Sequence, residues 1–255
     1  MTVYLSGRRN GTTHRSVTLL AALPDELRLI GGMAVTCRVG TPHRATVDLD
    51  ALARGLADFH EVISRLAVTA PGGGQYGFDG SFDLDVIDVS PSSARELLEE
   101  LRSFGQPLTD LDVNMVGHVW AHDTAEPLDI VALEEGTGTV LDRADHRLVA
   151  SVAGLVVMKA TTVPLRSANR PEKRASDLYD LGRLLLVPGS TATDLGTLPD
   201  ELAGVVHGRI HAWFVDGAGR DRTYREVRRF DEPRLDLDSV SDAAEALTGA
   251  WSGPG

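Results

Sequence analysis

The chain has 255 residues, of which 42% are hydrophobic and 24% charged. That is the composition of a folded protein with room for a sizeable core, and it excludes wholesale disorder and collagen-like or mucin-like chains. A single cysteine, Cys37, excludes an internal disulfide framework and a cysteine-rich zinc module and fits a reducing compartment. With 25 Lys and Arg against 37 Asp and Glu the formal charge is −12, so the surface as a whole repels a polyanion and any nucleic-acid contact must be local.

Met1 to Arg15 lacks the continuous apolar run of a signal peptide, and the longest apolar stretches, such as Leu148 to Met158, are too short to cross a bilayer as a helix. The expected location is cytoplasmic, with no membrane contact. Ser16 to Leu23 reads as a helix ending at Pro24. Leu27 to Ile30 is a short strand running into Gly31-Gly32, followed by a helical segment from Met33 to Arg38. Ala45 to Leu49 is a second strand, Leu52 to Leu66 an amphipathic helix, and Phe82 to Val89 an alternating strand. Ala94 to Phe104 reads as a helix, whereas Val113, Val116 to Trp120 and Ile130 to Leu133 are core pieces of open type. From Arg147 the pattern turns helical: Leu148 to Ala160, Ser176 to Leu186, Leu198 to Val206 and Val240 to Leu247, with a frayed tail from Trp251 to Gly255.

Charge is unevenly spread. Lys159 to Arg174 holds Lys159, Arg166, Arg170, Lys173 and Arg174 against Glu172 alone, a local excess of positive charge. A second group, Arg220, Arg222, Arg225, Arg228 and Arg229, is diluted by Asp221 and Glu226 and reads as a solvated face.

Three features carry chemistry. Gly31-Gly32 between a strand and a helix lets backbone approach a ligand and offers helix N–H groups to phosphate. Asp48 and Asp50, two apart on a strand, share one face with Cα atoms roughly 6.5 Å apart and can converge on divalent ions, while Val47 and Leu49 face the core. Asp83 and Asp85 alternate likewise on a later strand, and either could add a third carboxylate, Asp85 being favoured; Asp88 falls on the opposite face. For Asp177 the alternative is a first-turn position in its helix, and for Lys159 it is snorkelling from a core helix. His207 and His211 lack the intervening Glu of a zinc motif and read as structural, as does Cys37. Thr46 is a candidate phosphorylation point.

A glycine pair ending a strand, a helix, Asp-x-Asp on the next strand and an acid on a later one resemble the nucleotidyltransferase superfamily with the DNA polymerase beta-like fold. Lys159-Ala160-Thr161-Thr162-Val163-Pro164-Leu165-Arg166 and Asp177-Leu178-Tyr179-Asp180 resemble the second and third motifs of AbiEii-type toxins. The chain departs from the pattern at Ala160, at Pro164 and in the longer stretch before Asp48, where Pro42 and His43 suggest an enlarged loop.

The resemblance implies an α+β fold: a polymerase beta-like core with a mixed sheet, residues 1–146, followed by a mainly helical part, residues 147–255. It implies transfer of a nucleoside monophosphate from an NTP to an acceptor hydroxyl, with Mg²⁺ held by Asp48, Asp50 and Asp85. Gly31, Gly32, Lys159 and Arg166 would bind the nucleotide, Lys159 and Arg166 lying two turns apart if their helix is continuous. Asp48, Asp50, Lys159, Asp177 and Asp180 form the implied catalytic set, with Asp177 and Asp180 orienting Lys159 or the acceptor. The implied acceptor is the 3′ end of tRNA, and the implied partner a cognate antitoxin. Alternatives are nucleotidylation of a small molecule or protein, or a silent nucleotide-binding module.

Overall fold

A computed structural model of the protein describes residues 1–41, 48–78, 82–166, 171–188, 195–230 and 233–249. Among the described residues the class is α+β, with a mixed eight-stranded sheet and a mainly helical C-terminal part. Two compact units divide the chain, Met1–Pro91 with Thr124–Ser151, and Ser92–Asp123 with Val152–Gly255. The expectation was a single cut near residue 146; the second unit also draws in the helices between residues 92 and 123.

The first unit contains every strand among the described residues. In chain order it has β1 (Thr2–Gly7), α1 (Thr12–Ala22), β2 (Arg28–Ile30), α2 (Gly31–Val39), β3 (Asp48–Ala53) and α3 (Leu56–Leu66). There follow β4 (Thr69–Gly72), β5 (Gln75–Phe78), β6 (Phe82–Asp88), β7 (Glu126–Glu134) and β8 (Val140–Val149). The spatial order is β1-β7-β8-β2-β3-β6-β5-β4, with β3 parallel to β6 and antiparallel to β2. One face of this centre is apolar: Leu29, Leu49, Ala51 and Leu84 pack with Leu20, Leu23 and Leu27, which is where burial of nonpolar area stabilises the unit.

Several elements differ from the sequence expectation, each for a physical reason. Leu52 and Ala53 are strand, not helix: β3 is hydrogen-bonded on both sides and buried on both faces along Ala51-Leu52-Ala53, and a short apolar run has no periodicity to distinguish the two. The helix starts only after Gly55, at φ +72°, where the Asp88 carboxylate accepts the N–H groups of Gly55 and Leu56. Leu148 likewise lies in a strand, paired with Arg28 of β2, and the helix begins at Val152. β1 and the β4–β5 hairpin were not expected. The glycine run Gly72-Gly73-Gly74, all at positive φ, is the hairpin turn. The first residues of the expected strand Ala45 to Leu49, with Thr46, Pro42 and His43, lie outside the described residues, as does the tail from Trp251.

The second unit is helical among the described residues: α4 (Ala94–Ser103), α5 (Asp110–Asp123), α6 (Val152–Thr162), a 3₁₀ turn (Val163–Leu165), α7 (Pro171–Leu185), α8 (Asp200–Phe214), α9 (Gly217–Val227) and α10 (Leu237–Gly249). Val113 and Val116 to Trp120, open in the sequence, are thus helix, whereas Ile130 to Leu133 belong to β7. Ser93 caps α4 in a reciprocal capping box with Glu96. α6 is buried from Val152 to Thr161 and is apolar from Val152 to Met158, as a central helix is, with Lys159 its one charged side chain. Gly117 admits it closely, since a Cβ there would lie 3.0 Å from Thr161 Oγ1.

Candidate active site

In the first unit the glycine turn and the carboxylates meet. β2 ends at Ile30, whose register partner across the antiparallel pair is Asp50, and the chain turns into α2 through Gly31 at φ +68°. A Cβ on Gly31 would overlap the Asp50 carboxylate, so only glycine fits this conformation and this approach. The N-terminus of α2 has no side-chain cap and no acid in its first turn, and the Asp50 carboxylate stands against this positive helix end.

Across the parallel pair β3–β6, Asp50 is in register with Asp85 and Asp48 with Asp83. Register partners project to the same face roughly 4.8 Å apart, and both candidates for the third carboxylate therefore stand beside one of the pair. Asp85 is beside the carboxylate that abuts Gly31. Asp83 is exposed and Asp85 half-buried. Leu49 and Leu84, between the acids, are fully buried, as alternation requires.

α2 is fixed from its far end. Arg38, its side chain 6% exposed, donates from Nε to the Ala150 carbonyl at 2.8 Å, from Nη2 to the Val149 carbonyl at 2.6 Å and from Nη1 to Glu126 at 3.0 Å. Ala150 in turn donates to the Leu29 carbonyl at 3.0 Å, so β2, α2 and the end of β8 hold one another. Cys37 in the same helix is buried, and burial pushes its thiol up to about 12, which makes it an inert core residue.

Oxygen donors of this kind suit Mg²⁺, which is held through one or two carboxylates together with substrate phosphates. Among the described residues no group of three His, Cys, Asp or Glu side chains already converges on one point. The Asp50–Asp85 pair with Asp48 nonetheless supplies a donor set of the required chemistry on one face, with the Asp50 carboxylate against Gly31.

The second unit contains the cationic cluster. Lys159 Nζ donates to Asp177 Oδ1 at 2.6 Å and to Asp180 Oδ2 at 2.8 Å, and Arg166 Nε donates to Asp177 Oδ2 at 2.5 Å. Lys159, Asp177 and Asp180 are 8%, 3% and 0% exposed. Burial opposes the ammonium charge, but the two carboxylates outweigh it and hold Lys159 above the ordinary lysine range. Asp177 and Asp180 thus grip Lys159 from α7, and Asp177 lies well inside that helix, which begins at Pro171, not in a first turn. Nor are Lys159 and Arg166 on one helix: α6 stops at Thr162, the 3₁₀ turn with Pro164 follows, and Arg166 is extended beyond it. The break is what turns Arg166 back onto Asp177.

Other side chains secure this cluster that the sequence did not single out. Arg209 donates to the Ala160 carbonyl at 3.1 Å and pairs with Asp110. Asn114 Nδ2 donates to Thr161 and Thr162 Oγ1 at 3.3 and 3.0 Å, and the Asn114 backbone carbonyl accepts from His118 Nδ1 at 2.7 Å. The one available signal was the four-residue spacing of Asn114 and His118. The positive segment is much less open than its sequence suggests. Lys159 and Arg166 are paired as above; Arg174 pairs with Glu226 at 3.0 Å and lies over the Trp213 ring. Lys173 is exposed, and Arg170 lies outside the described residues. His207 is buried in α8.

The family model for the nucleotidyl transferase AbiEii toxin of type IV toxin–antitoxin systems matches residues 18–248. The chain belongs to the AbiEii family. It is accordingly a nucleotidyltransferase toxin of a type IV toxin–antitoxin system, with a nucleotide substrate and an antitoxin partner. The AbiEii match spans both the β3–β6 carboxylates and the Lys159 cluster. No curated protein matches the chain. Among the described residues no helix is long and apolar enough to cross a membrane.

Proposed function

We propose that this AbiEii-family protein acts in the cytoplasm as a Mg²⁺-dependent enzyme that transfers a nucleoside monophosphate from an NTP to the 3′-terminal hydroxyl of tRNA, releasing pyrophosphate. The observation that carries this reading is the placement of Gly31 against Asp50, itself in register with Asp85: a phosphate-approach turn and paired carboxylates on adjoining strands.

The acceptor oxygen forms a bond to the α-phosphorus, its hydroxyl proton passing to water, as the bond from that phosphorus to the bridging oxygen of the pyrophosphate breaks. Mg²⁺, held by Asp48, Asp50 and Asp85, would supply charge neutralisation on the phosphates and a lower pKa for the attacking hydroxyl. The N–H groups at Gly31 and Gly32 bind phosphate oxygen at the start of α2. Lys159, held charged by Asp177 and Asp180, is a fixed cation and not a base; with Arg166 it offsets negative charge on the nucleotide. Asp177 and Asp180 orient it.

A second reading has its own support. The ion pairs that occupy Lys159, Arg166 and Arg174 leave less positive surface for a polyanion than the sequence promises, which favours a small molecule or a protein as acceptor. One experiment separates the readings: each labelled NTP is incubated with the protein, Mg²⁺ and total tRNA, beside Asp48→Ala and Asp50→Ala variants. Label on tRNA that falls by about two to three orders of magnitude in either variant, and that diminishes with rising salt, supports the first. Label appearing on protein or small molecules only favours the second. Binding of NTP without any transfer leaves a silent nucleotide-binding module.

A further inference from the structure

The arginines near the C-terminus read as a solvated face in the sequence, and the transfer reaction gives them no role. Among the described residues Arg222, Arg225, Arg228, Arg229 and Arg234 are exposed and make no ion pair or side-chain hydrogen bond, unlike Lys159, Arg166 and Arg174. The acids beside them are engaged: Glu226 with Arg174, Asp238 with Arg220 and Asp236 with Ser239. Among the described residues nearby, that leaves Asp221 of α9 to offset them. An open positive charge therefore stands at α9 and the chain after it, outside the segment where the sequence concentrates its cations.

Arg228 and Arg234 line a cavity of about 160 Å³, room for roughly ten waters. Its floor is Val227, Leu235 and Leu237, all buried. Tyr224 and Phe230, half-buried, add aromatic rings to the wall. α7 holds this wall in place: the Tyr179 ring lies 4.9 Å from the Phe230 ring, and the Tyr179 hydroxyl donates to the Pro233 carbonyl at 2.6 Å. Leu235 packs against Gly182, where a Cβ would come within 2.6 Å of it. Tyr179 stands between Asp177 and Asp180 in the Asp-x-x-Asp motif, yet its hydroxyl is spent on the cavity wall and not on Lys159. Arg228, at the C-cap of α9, also complements the negative end of that helix. Arg234 belongs to no helix, and no such role explains it.

We propose that this cavity binds a nucleoside phosphate, its base lying against Tyr224 and Phe230 and its phosphate held by Arg228 and Arg234, a second site made of none of the residues assigned to transfer. The lining selects for that ligand. A bare anion has no use for an apolar floor and two rings, and an uncharged ring has none for two guanidiniums. A planar base joined to a phosphate satisfies both, through stacking and charge-assisted hydrogen bonds. An acidic peptide would use the cations and leave the rings unmatched. Two sources carry the favoured chemistry: a free nucleotide and a nucleotide within an RNA chain. The site does not depend on the transfer reaction, since a protein that moves no nucleotide can still hold one.

The test is calorimetry on the full chain in EDTA, which removes any Mg²⁺-dependent binding at the carboxylates. The probes are the four nucleoside monophosphates, tRNA, inorganic phosphate and polyglutamate. The variants are Arg228→Gln, Arg234→Gln and, as a control, Arg229→Gln, an exposed arginine that does not line the cavity. All three side chains are exposed, so a loss of binding is a loss of contact and not of the fold. The expected result is saturable binding of a monophosphate or of tRNA, weakened about tenfold or more in Arg228→Gln and in Arg234→Gln and near wild type in Arg229→Gln. Binding of a monophosphate identifies the free nucleotide as the source; binding of tRNA alone identifies RNA. Inorganic phosphate or polyglutamate bound as tightly as the nucleotide probe overturns the proposal, the latter in favour of an acidic protein partner. Equal weakening in Arg229→Gln overturns it too, as does the absence of binding by any probe. Asp50→Ala should bind here as wild type does, so failure at this cavity leaves transfer measured with Mg²⁺ to stand or fall separately.

Discussion

Lys159 shows how a single buried charge is made tolerable and useful. An ammonium at 8% exposure would ordinarily lose its proton or unfold the site; two carboxylates at 2.6 and 2.8 Å prevent both. Removing one partner strands the others, so Asp180→Ala is expected to cost about 3–5 kcal/mol in a denaturant titration. Replacing Lys159 by Met and Asp180 by Leu together should recover much of that loss, because Asp177 keeps Arg166; the double-mutant cycle measures the coupling. The restored protein should remain poor in nucleotidyl transfer if the lysine charge acts on the nucleotide. Because the Lys159 pKa is raised, its stabilising contribution is complete below the ordinary lysine value and is lost only as pH climbs through the higher folded one. The resemblance had Asp177 and Asp180 orienting either Lys159 or the acceptor; in the structure both carboxylates are bonded to Lys159. The contribution of Asn114 and Arg209 was not anticipated, since each acts on an element far from it in sequence.

Among the elements, the turn from β2 into α2 is the one whose geometry can be tested most sharply. Gly31→Ala places a methyl into the Asp50 carboxylate and forces a left-handed conformation, a backbone cost of roughly 1–2 kcal/mol before the clash is added. The expected outcome is a lowered melting temperature together with NTP affinity reduced by about tenfold or more, whereas Gly40→Ala, also at positive φ but with open space around its Cβ position, should cost stability alone. Thermal unfolding and NTP titration of the two variants check this. The strand–glycine–helix order was readable because each part has a local cause: apolar run, positive-φ residue, helical spacing. The extent of β3 was not. Whether Leu52 continues a strand or opens a helix depends on β2 and β6 flanking it, and those hydrogen bonds leave no trace in the residues from 51 to 53.

For the molecule as a whole, acid is the expected weakness. His118 and His207 both have lowered pKa values, burial being the leading cause in each. The unfolded chain therefore takes up protons more readily than the folded one as pH falls through about 6.5. Stability should be fully present above that value and decline below it, and His118→Gln should flatten the decline; urea midpoints measured from pH 7.5 to 5 test the sign. Net charge acts on association instead of on folding. At −12, with Lys159, Arg166 and Arg174 paired, affinity for tRNA at that segment should be weak and its fall with salt shallow, since few cations are left there for phosphate contacts, and a flat salt response in transfer assays argues for an uncharged or protein acceptor.

Sequence by itself determined the α+β class, the glycine turn, the pairing of acids two apart on strands, the Lys–Arg and Asp-x-x-Asp motifs, and through them the resemblance to AbiEii toxins. All of these are properties of short spacings, which local stereochemistry converts directly into a face or a turn. Tertiary structure decided which carboxylate stands beside which across β3 and β6, that Gly31 is pressed against Asp50, that a broken helix swings Arg166 onto Asp177, and that residues 92–123 pack with the C-terminal helices. Those outcomes depend on hydrogen bonding, burial and charge neutralisation between separate elements, and the residues of one element do not show which other element will pack against it.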